Sequence, residues 1–73
     1  MWVTYIRKYP TLGDAKVVVD HPDQERITMD VEALPPVNAV VWIRFGTVWG
    51  RWYTVVQHFF QEDKEIVILV RNH

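Results

Sequence analysis

The sequence predicts an all-β fold, a small six-stranded antiparallel sandwich or bent barrel made of two three-stranded meanders. Three observations predict it. Val40 to Phe60 holds two runs of β-branched and aromatic residues around a short segment punctuated by Gly46 and Gly50, the pattern of a β-hairpin. Ile27 to Ala33 alternates apolar and polar residues, the pattern of a strand with one wet face. Leu34-Pro35-Pro36-Val37-Asn38 interrupts any ladder, because consecutive prolines cannot donate to it, and divides the chain into halves of similar length.

Met1 to Lys8, with Trp2-Val3-Thr4-Tyr5-Ile6-Arg7 at its centre, is strand-like and lacks a helix cap. Tyr9 to Asp14 is a turn or loop by its Pro10 and Gly13. Lys16 to Asp20 is a short second strand, and His21 to Arg26 a polar connection started by Pro22. In the third strand Ile27, Met29, Val31 and Ala33 face in, while Thr28, Asp30 and Glu32 face out. Val40 to Phe45, Trp52 to Phe60 and Glu65 to Arg71 are strands four to six, the last two joined by the polar turn Gln61 to Lys64. A helix competes only over Thr54 to Lys64. Thr54, Val55, Val56, Phe59 and Phe60 are poor helix formers and no capping signature precedes them, so strand is the reading.

Seventy-three residues suffice for one small β domain with a limited core. The absence of cysteine excludes disulfides and thiolate metal sites. Four Trp, three Tyr and three Phe are the remaining route to a stable core, unless another chain contributes. The formal net charge is −1, yet residues 14–32 carry six acids against two bases, whereas residues 33–61 carry only Arg44 and Arg51. A near-neutral chain with an acidic middle is a poor candidate for bulk nucleic-acid binding. Thr4, Arg7 and Lys8 break the apolar run a signal peptide needs, and no run approaches the roughly 20 residues that span a bilayer. A cytoplasmic protein with no membrane contact is the expectation. In layout and size the six strands resemble SH3-like and OB barrels, and such a resemblance gives no function.

The second half is apolar on both faces. Val41, Ile43 and Phe45 oppose Val40, Trp42 and Arg44; Trp52, Thr54, Val56, His58 and Phe60 oppose Tyr53, Val55, Gln57 and Phe59. Ile66, Ile68 and Val70 oppose Val67 and Leu69. With one face on the core, Val40, Trp42, Val55, Phe59, Val67 and Leu69 remain on the other. Leaving several hundred Å2 of such surface wet forgoes on the order of ten kcal/mol. A non-catalytic protein-interaction module, probing another protein or forming a homo-oligomer, is therefore expected. Its partner-binding residues are Val40, Trp42, Arg44, Trp49, Arg51, Val55 and Phe59.

The alternative is a single-stranded nucleic-acid-binding barrel that uses Trp42, Arg44, Trp49, Arg51 and Tyr53, since every base has a face to stack. Trp42 and Trp52 can equally fill the core, with Arg44 and Arg51 as solvated charges. Asp14, Asp20, Asp23, Glu25, Asp30 and Glu32 form an acidic face, either merely solvated or the working surface of a small inhibitor that occupies a basic site. Asp20, His21 and Asp23 with His58 and His73 match no metal-ligand spacing, so neither a metal nor a cofactor is expected. Without Cys or Ser, and with no base evident beside any Thr, the chain carries no nucleophile of the usual kinds and is expected not to be an enzyme.

Overall fold

The structure is a computed structural model that describes residues 1–8, 11–12, 16–17, 24–46, 49–60 and 65–73, with only the backbone of 11–12 and 16–17. All regular structure among these residues is β. The strands are β1 (Trp2–Arg7), β2 (Thr11–Leu12), β3 (Lys16–Val17), β4 (Glu25–Asp30), β5 (Val40–Ile43), β6 (Arg51–Phe60) and β7 (Ile66–Asn72). Five of them form one sheet in the order β4-β1-β7-β6-β5, curled into a half-barrel; β2 and β3 pair with each other as a separate two-stranded ribbon.

The C-terminal meander β5-β6-β7 forms as the sequence predicts, and residues 54–60 are strand. The turn at 61–64 lies outside the described residues. Two expectations for the first half are corrected. The neighbour of β1 is β4, in antiparallel register from Trp2 opposite Asp30 to Arg7 opposite Glu25, and Lys16–Val17 pairs in the ribbon instead. The sheet is also mixed: β1 runs parallel to β7, with Thr4, Tyr5 and Ile6 opposite Val67, Ile68 and Leu69.

Strand composition explains this order. Val3, Thr4, Tyr5 and Ile6 are all buried, as are Val67, Ile68, Leu69 and Val70. Strands apolar on both faces belong in the middle of a sheet, and parallel pairing is characteristic of such doubly covered strands. β4, with its polar alternate residues, suits an edge: Ile27 and Met29 are half-buried against the core while Arg26, Thr28 and Asp30 are exposed. The strand ends at Asp30, so Ala33, expected to face in, is exposed.

The inner face of the half-barrel holds the main core: Val3, Tyr5, Ile43, Phe45, Tyr53, Val55, Ile68 and Val70. Phe45 meets Tyr53 edge-to-face at 5.2 Å between ring centroids. On the outer face Ile6, Val67 and Leu69 form a second buried cluster with Phe59 packed against it. The central part of the outer face is thus sheltered within the chain. Thr4, also on this side, is satisfied by the Thr28 hydroxyl at 3.0 Å.

A β-bulge in β6 redistributes its side chains. Val55 pairs with Val70 but Gln57 with Leu69, so Val56 is an extra residue without a partner. Beyond it the alternation changes phase. Val55 stays inside with Tyr53, whereas Gln57 and Phe59 move to the outer face opposite Leu69 and Val67.

Residues 31–39 connect β4 to β5, the two opposite edges of the sheet. Val31, Leu34 and Ala39 pack on the inner core along the way, so this segment straps the concave side. The strap is fixed at both ends and in its middle. The Val31 N–H donates to the Met1 carbonyl at 2.8 Å, and the Asn38 N–H to the Val55 carbonyl at 2.8 Å. His58 Nε2 donates to the Pro35 carbonyl at 2.6 Å, an acceptor that needs an outside donor because no ladder reaches it. Asn38, at φ 75°, supplies the left-handed turn that delivers the chain into β5, a conformation Asn tolerates well.

Ile68 lies at the centre of the inner core, between β1 and β6, and is fully buried. Ile68→Ala should lower unfolding stability by about 2–5 kcal/mol through lost burial and a cavity. Val56→Ala, at the unpaired bulge residue, should cost well under half of that; urea denaturation of both variants checks the contrast.

Candidate binding surface

β5 and β6 carry the outer-face residues the chain does not cover. Trp42 pairs with Trp52 and Val40 with Thr54 across this hairpin, all on the side opposite Ile43 and Tyr53. Trp42 and Trp52 are 56% and 55% exposed, and Trp49, in the connection between the strands, is 89% exposed. Val40 and Arg44 beside them are exposed too. Trp42 and Trp52 are therefore surface residues, and neither contributes to the core.

The two indoles are held in a defined arrangement. Their centroids lie 5.4 Å apart at an interplanar angle of 69°, edge-to-face. Trp42 also approaches Gly50 closely. A Cβ at that position would stand 2.6 Å from Trp42 Cε2 and 2.8 Å from Nε1, so glycine is required for the approach.

Two further expected members of this surface lie elsewhere. Val55 is fully buried in the inner core. Phe59 is half-buried on the outer cluster with Ile6, Val67 and Leu69, beyond the bulge. Tyr53, a stacking residue in the nucleic-acid alternative, is fully buried; its ring packs on Phe45 and its hydroxyl accepts from Arg7. Of the candidate contacts, Val40, Trp42, Arg44, Trp49 and Arg51 are exposed.

The sheet ends in a cationic mouth that sequence reading missed. Parallel pairing brings the ends of β1 and β7 together with the start of β6, so Arg7, Lys8, Arg51 and Asn72 line one cleft of about 390 Å3. Arg7 is fixed within it. Its guanidinium donates to Glu25 Oε2 and to the Tyr53 hydroxyl, and lies 4.8 Å from the centroid of the Phe45 ring. Lys8 donates to Glu25 Oε1 at 2.8 Å. The Lys8 bond, the largest influence, together with the Arg7 bond and the two positive charges holds the Glu25 carboxyl below its ordinary value of 4.5, overcoming an upward push from burial that is second in size. Arg51 makes no ion pair with a described residue.

Arg51 and Asn72 also line a second cleft of about 520 Å3, shared with Trp42, Gly50, Trp52 and His73. His73 is tied down there: its Nδ1 bonds the Thr54 hydroxyl at 3.1 Å, and its N–H donates to the Trp52 carbonyl at 3.2 Å.

The expected acidic face is only partly described. Asp14, Asp20 and Asp23 lie outside the described residues. Glu25 is committed to Arg7 and Lys8, and Asp30 accepts from the Met1 amine at 2.9 Å, which leaves Glu32 exposed. Among the described residues no three His, Cys, Asp or Glu side chains are grouped to hold a metal. No helix of the described residues is long and apolar enough to cross a membrane. Comparison with protein-family models, curated proteins and solved structures finds no match.

Gly50→Ala should displace Trp42 from its seat with little loss of stability, because the indole can swing into solvent. The expected readout is loss of the Trp–Trp signal in near-ultraviolet circular dichroism with a urea midpoint close to wild type. Glu25 gives a pH test. Its lowered folded-state pKa contributes stability that is present above the unfolded value near 4.5 and is lost as pH falls through the folded value. Glu25→Gln should therefore cost about 1 kcal/mol at neutral pH, solvent screening included, and the deficit should shrink to nothing as pH drops well below 4.5.

Proposed function

We propose that the protein is a non-catalytic interaction module that works by contact through the β5–β6 hairpin, with a second copy of the chain pairing along the β5 edge beside its exposed tryptophans. The observation that carries this reading is the exposure of Trp42, Trp49 and Trp52, each more than half open to solvent on one hairpin. Tryptophan and arginine concentrate binding energy at interfaces, through large rigid area and directional contacts. Here Arg44 is exposed next to Trp42 in sequence, and Arg51, from the inner side, lines one cleft with Trp42 and Trp52.

The edge of the sheet favours self-association. β5 has a neighbour on one side only, and nothing in Val40-Val41-Trp42-Ile43 protects the other side: no proline, no charge and no bulge. β4, the opposite edge, carries Glu25, Arg26 and Asp30, the sort of charged edge that resists pairing. Two β5 strands related by a two-fold axis would pair antiparallel and join the two tryptophan faces into one surface. Isologous pairing of this kind needs no further component.

Sedimentation equilibrium from low micromolar to several hundred micromolar protein tests the reading. A mass rising toward that of a dimer is expected, and Trp42→Ser should weaken the association roughly tenfold or more while the fold persists. A monomer throughout the range overturns it.

A further inference from the structure

We infer that the two clefts at the Arg7–Asn72 end of the sheet together form a nucleotide site, with the phosphate among Arg7, Lys8 and Arg51 and the base against Trp42 and Trp52. The inference goes beyond the docking reading and stands without it, since the phosphate half uses the mouth of the half-barrel.

The phosphate half has the composition that phosphoryl oxygens require. Among the described residues Arg7, Lys8 and Arg51 place three positive charges around one cleft, and Glu25 pairs with two of them. Arg7 is preorganised: Glu25, the Tyr53 hydroxyl and the Phe45 ring fix its guanidinium plane, so little freedom remains to be lost on binding. Its bonds to Glu25 and Tyr53 leave other N–H groups of the fork available. Arg51 makes no ion pair with a described residue, and its guanidinium fork suits a phosphate in bidentate geometry. The acid next to β7, Glu65, precedes Ile66 and so stands at the far end of that strand from Asn72.

The base half meets it across the rim of the sheet, because Arg51 and Asn72, on the inner side, border both clefts while Trp42 and Trp52 stand on the outer face. Trp42 and Trp52 offer indole faces on which a base stacks without regard to its identity. Asn72 carries both a donor and an acceptor, able to bond a phosphate oxygen or a base edge. An anionic group and a planar ring joined by a short linker is what this pair of clefts fits. A bare oxyanion would leave the indoles unused, and an apolar peptide would leave the excess positive charge of Arg7, Lys8 and Arg51 over Glu25 unanswered. The volumes, about 390 and 520 Å3, fall in the range of small-molecule sites.

The test uses the full chain at low micromolar concentration, with adenosine monophosphate, adenosine, inorganic phosphate and a 5′-phosphorylated single-stranded DNA hexamer as probes. The readouts are tryptophan fluorescence and backbone amide shifts. Adenosine monophosphate or the hexamer should quench tryptophan emission saturably and move the amides of Lys8, Arg51 and Asn72. Binding should weaken as salt rises. Inorganic phosphate should move the Lys8 and Arg51 amides without quenching, and adenosine should bind roughly tenfold or more weakly than its monophosphate.

Arg51→Gln should lower affinity for the monophosphate by a similar factor, and Lys8→Gln by less. Tight binding of the hexamer with weak binding of the monophosphate assigns the source as a single strand; equal binding assigns a free nucleotide. Absence of saturable quenching by both, or quenching that Arg51→Gln leaves unchanged, overturns the inference. An unchanged sedimentation profile with nucleotide binding intact separates this outcome from any failure of self-association.

Discussion

The structure depends on the parallel seam between β1 and β7. Eight consecutive-in-strand residues, Val3 to Ile6 and Val67 to Val70, are buried there on both sides of the sheet. A seam of this kind has to be covered twice. The inner side is covered by the curl of the sheet and by the strap from Val31 to Ala39; on the outer side Phe59 packs against Ile6, Val67 and Leu69. What remains for solvent is the periphery: the polar face of β4 at one edge and the tryptophan face of β5–β6 at the other.

The bulge at Val56 is the device that allows one long strand to serve both sides. β6 runs through Phe60, and its first half meets the edge strand while its second half packs toward the seam. Without the extra residue, strict alternation over this length would also have to reconcile the twist of the hairpin with the closure of the half-barrel. A bulge bends the strand locally and increases twist where curvature is needed. The same residue separates exposed Trp52 from half-buried Phe59, two aromatic residues of one strand with different surroundings.

Much of the sheet was legible in the sequence, and the failures have specific causes. The hairpin, the third strand of its meander and the Pro35-Pro36 break were readable because turn residues and β-branched runs are local signals. Strand order was not, since nothing local states that Thr4 faces Val67. One clue was present: Ile66 to Val70 is apolar without interruption, the mark of a doubly covered strand suited to parallel pairing. Val55 was misplaced because its face depends on the register between β5 and β6: Val41 pairs with Tyr53, so Val55 joins the inner face with it, and no local signal states that register. Phe59 does lie on the outer face, brought there by a bulge that has no signature in Val55-Val56-Gln57. Of the surface itself, Trp42, Trp49, Arg44 and Arg51 were readable from their clustering. The Arg7–Glu25 pair and the cleft with Asn72 were invisible, because they arise from register between strands far apart in the chain.

The parallel seam also sets an order of events during synthesis. Every antiparallel pair in the sheet joins strands on the same side of the Pro35-Pro36 break, whereas β1 must wait for a strand more than sixty positions later. Closing so long a loop is entropically slow and rewards the chain only at the end. On the ribosome, β1 and β4 would emerge as a pair with the apolar flank of β1 bare until β7 follows, a nascent species inclined to cling to chaperones or to its neighbours on a polysome.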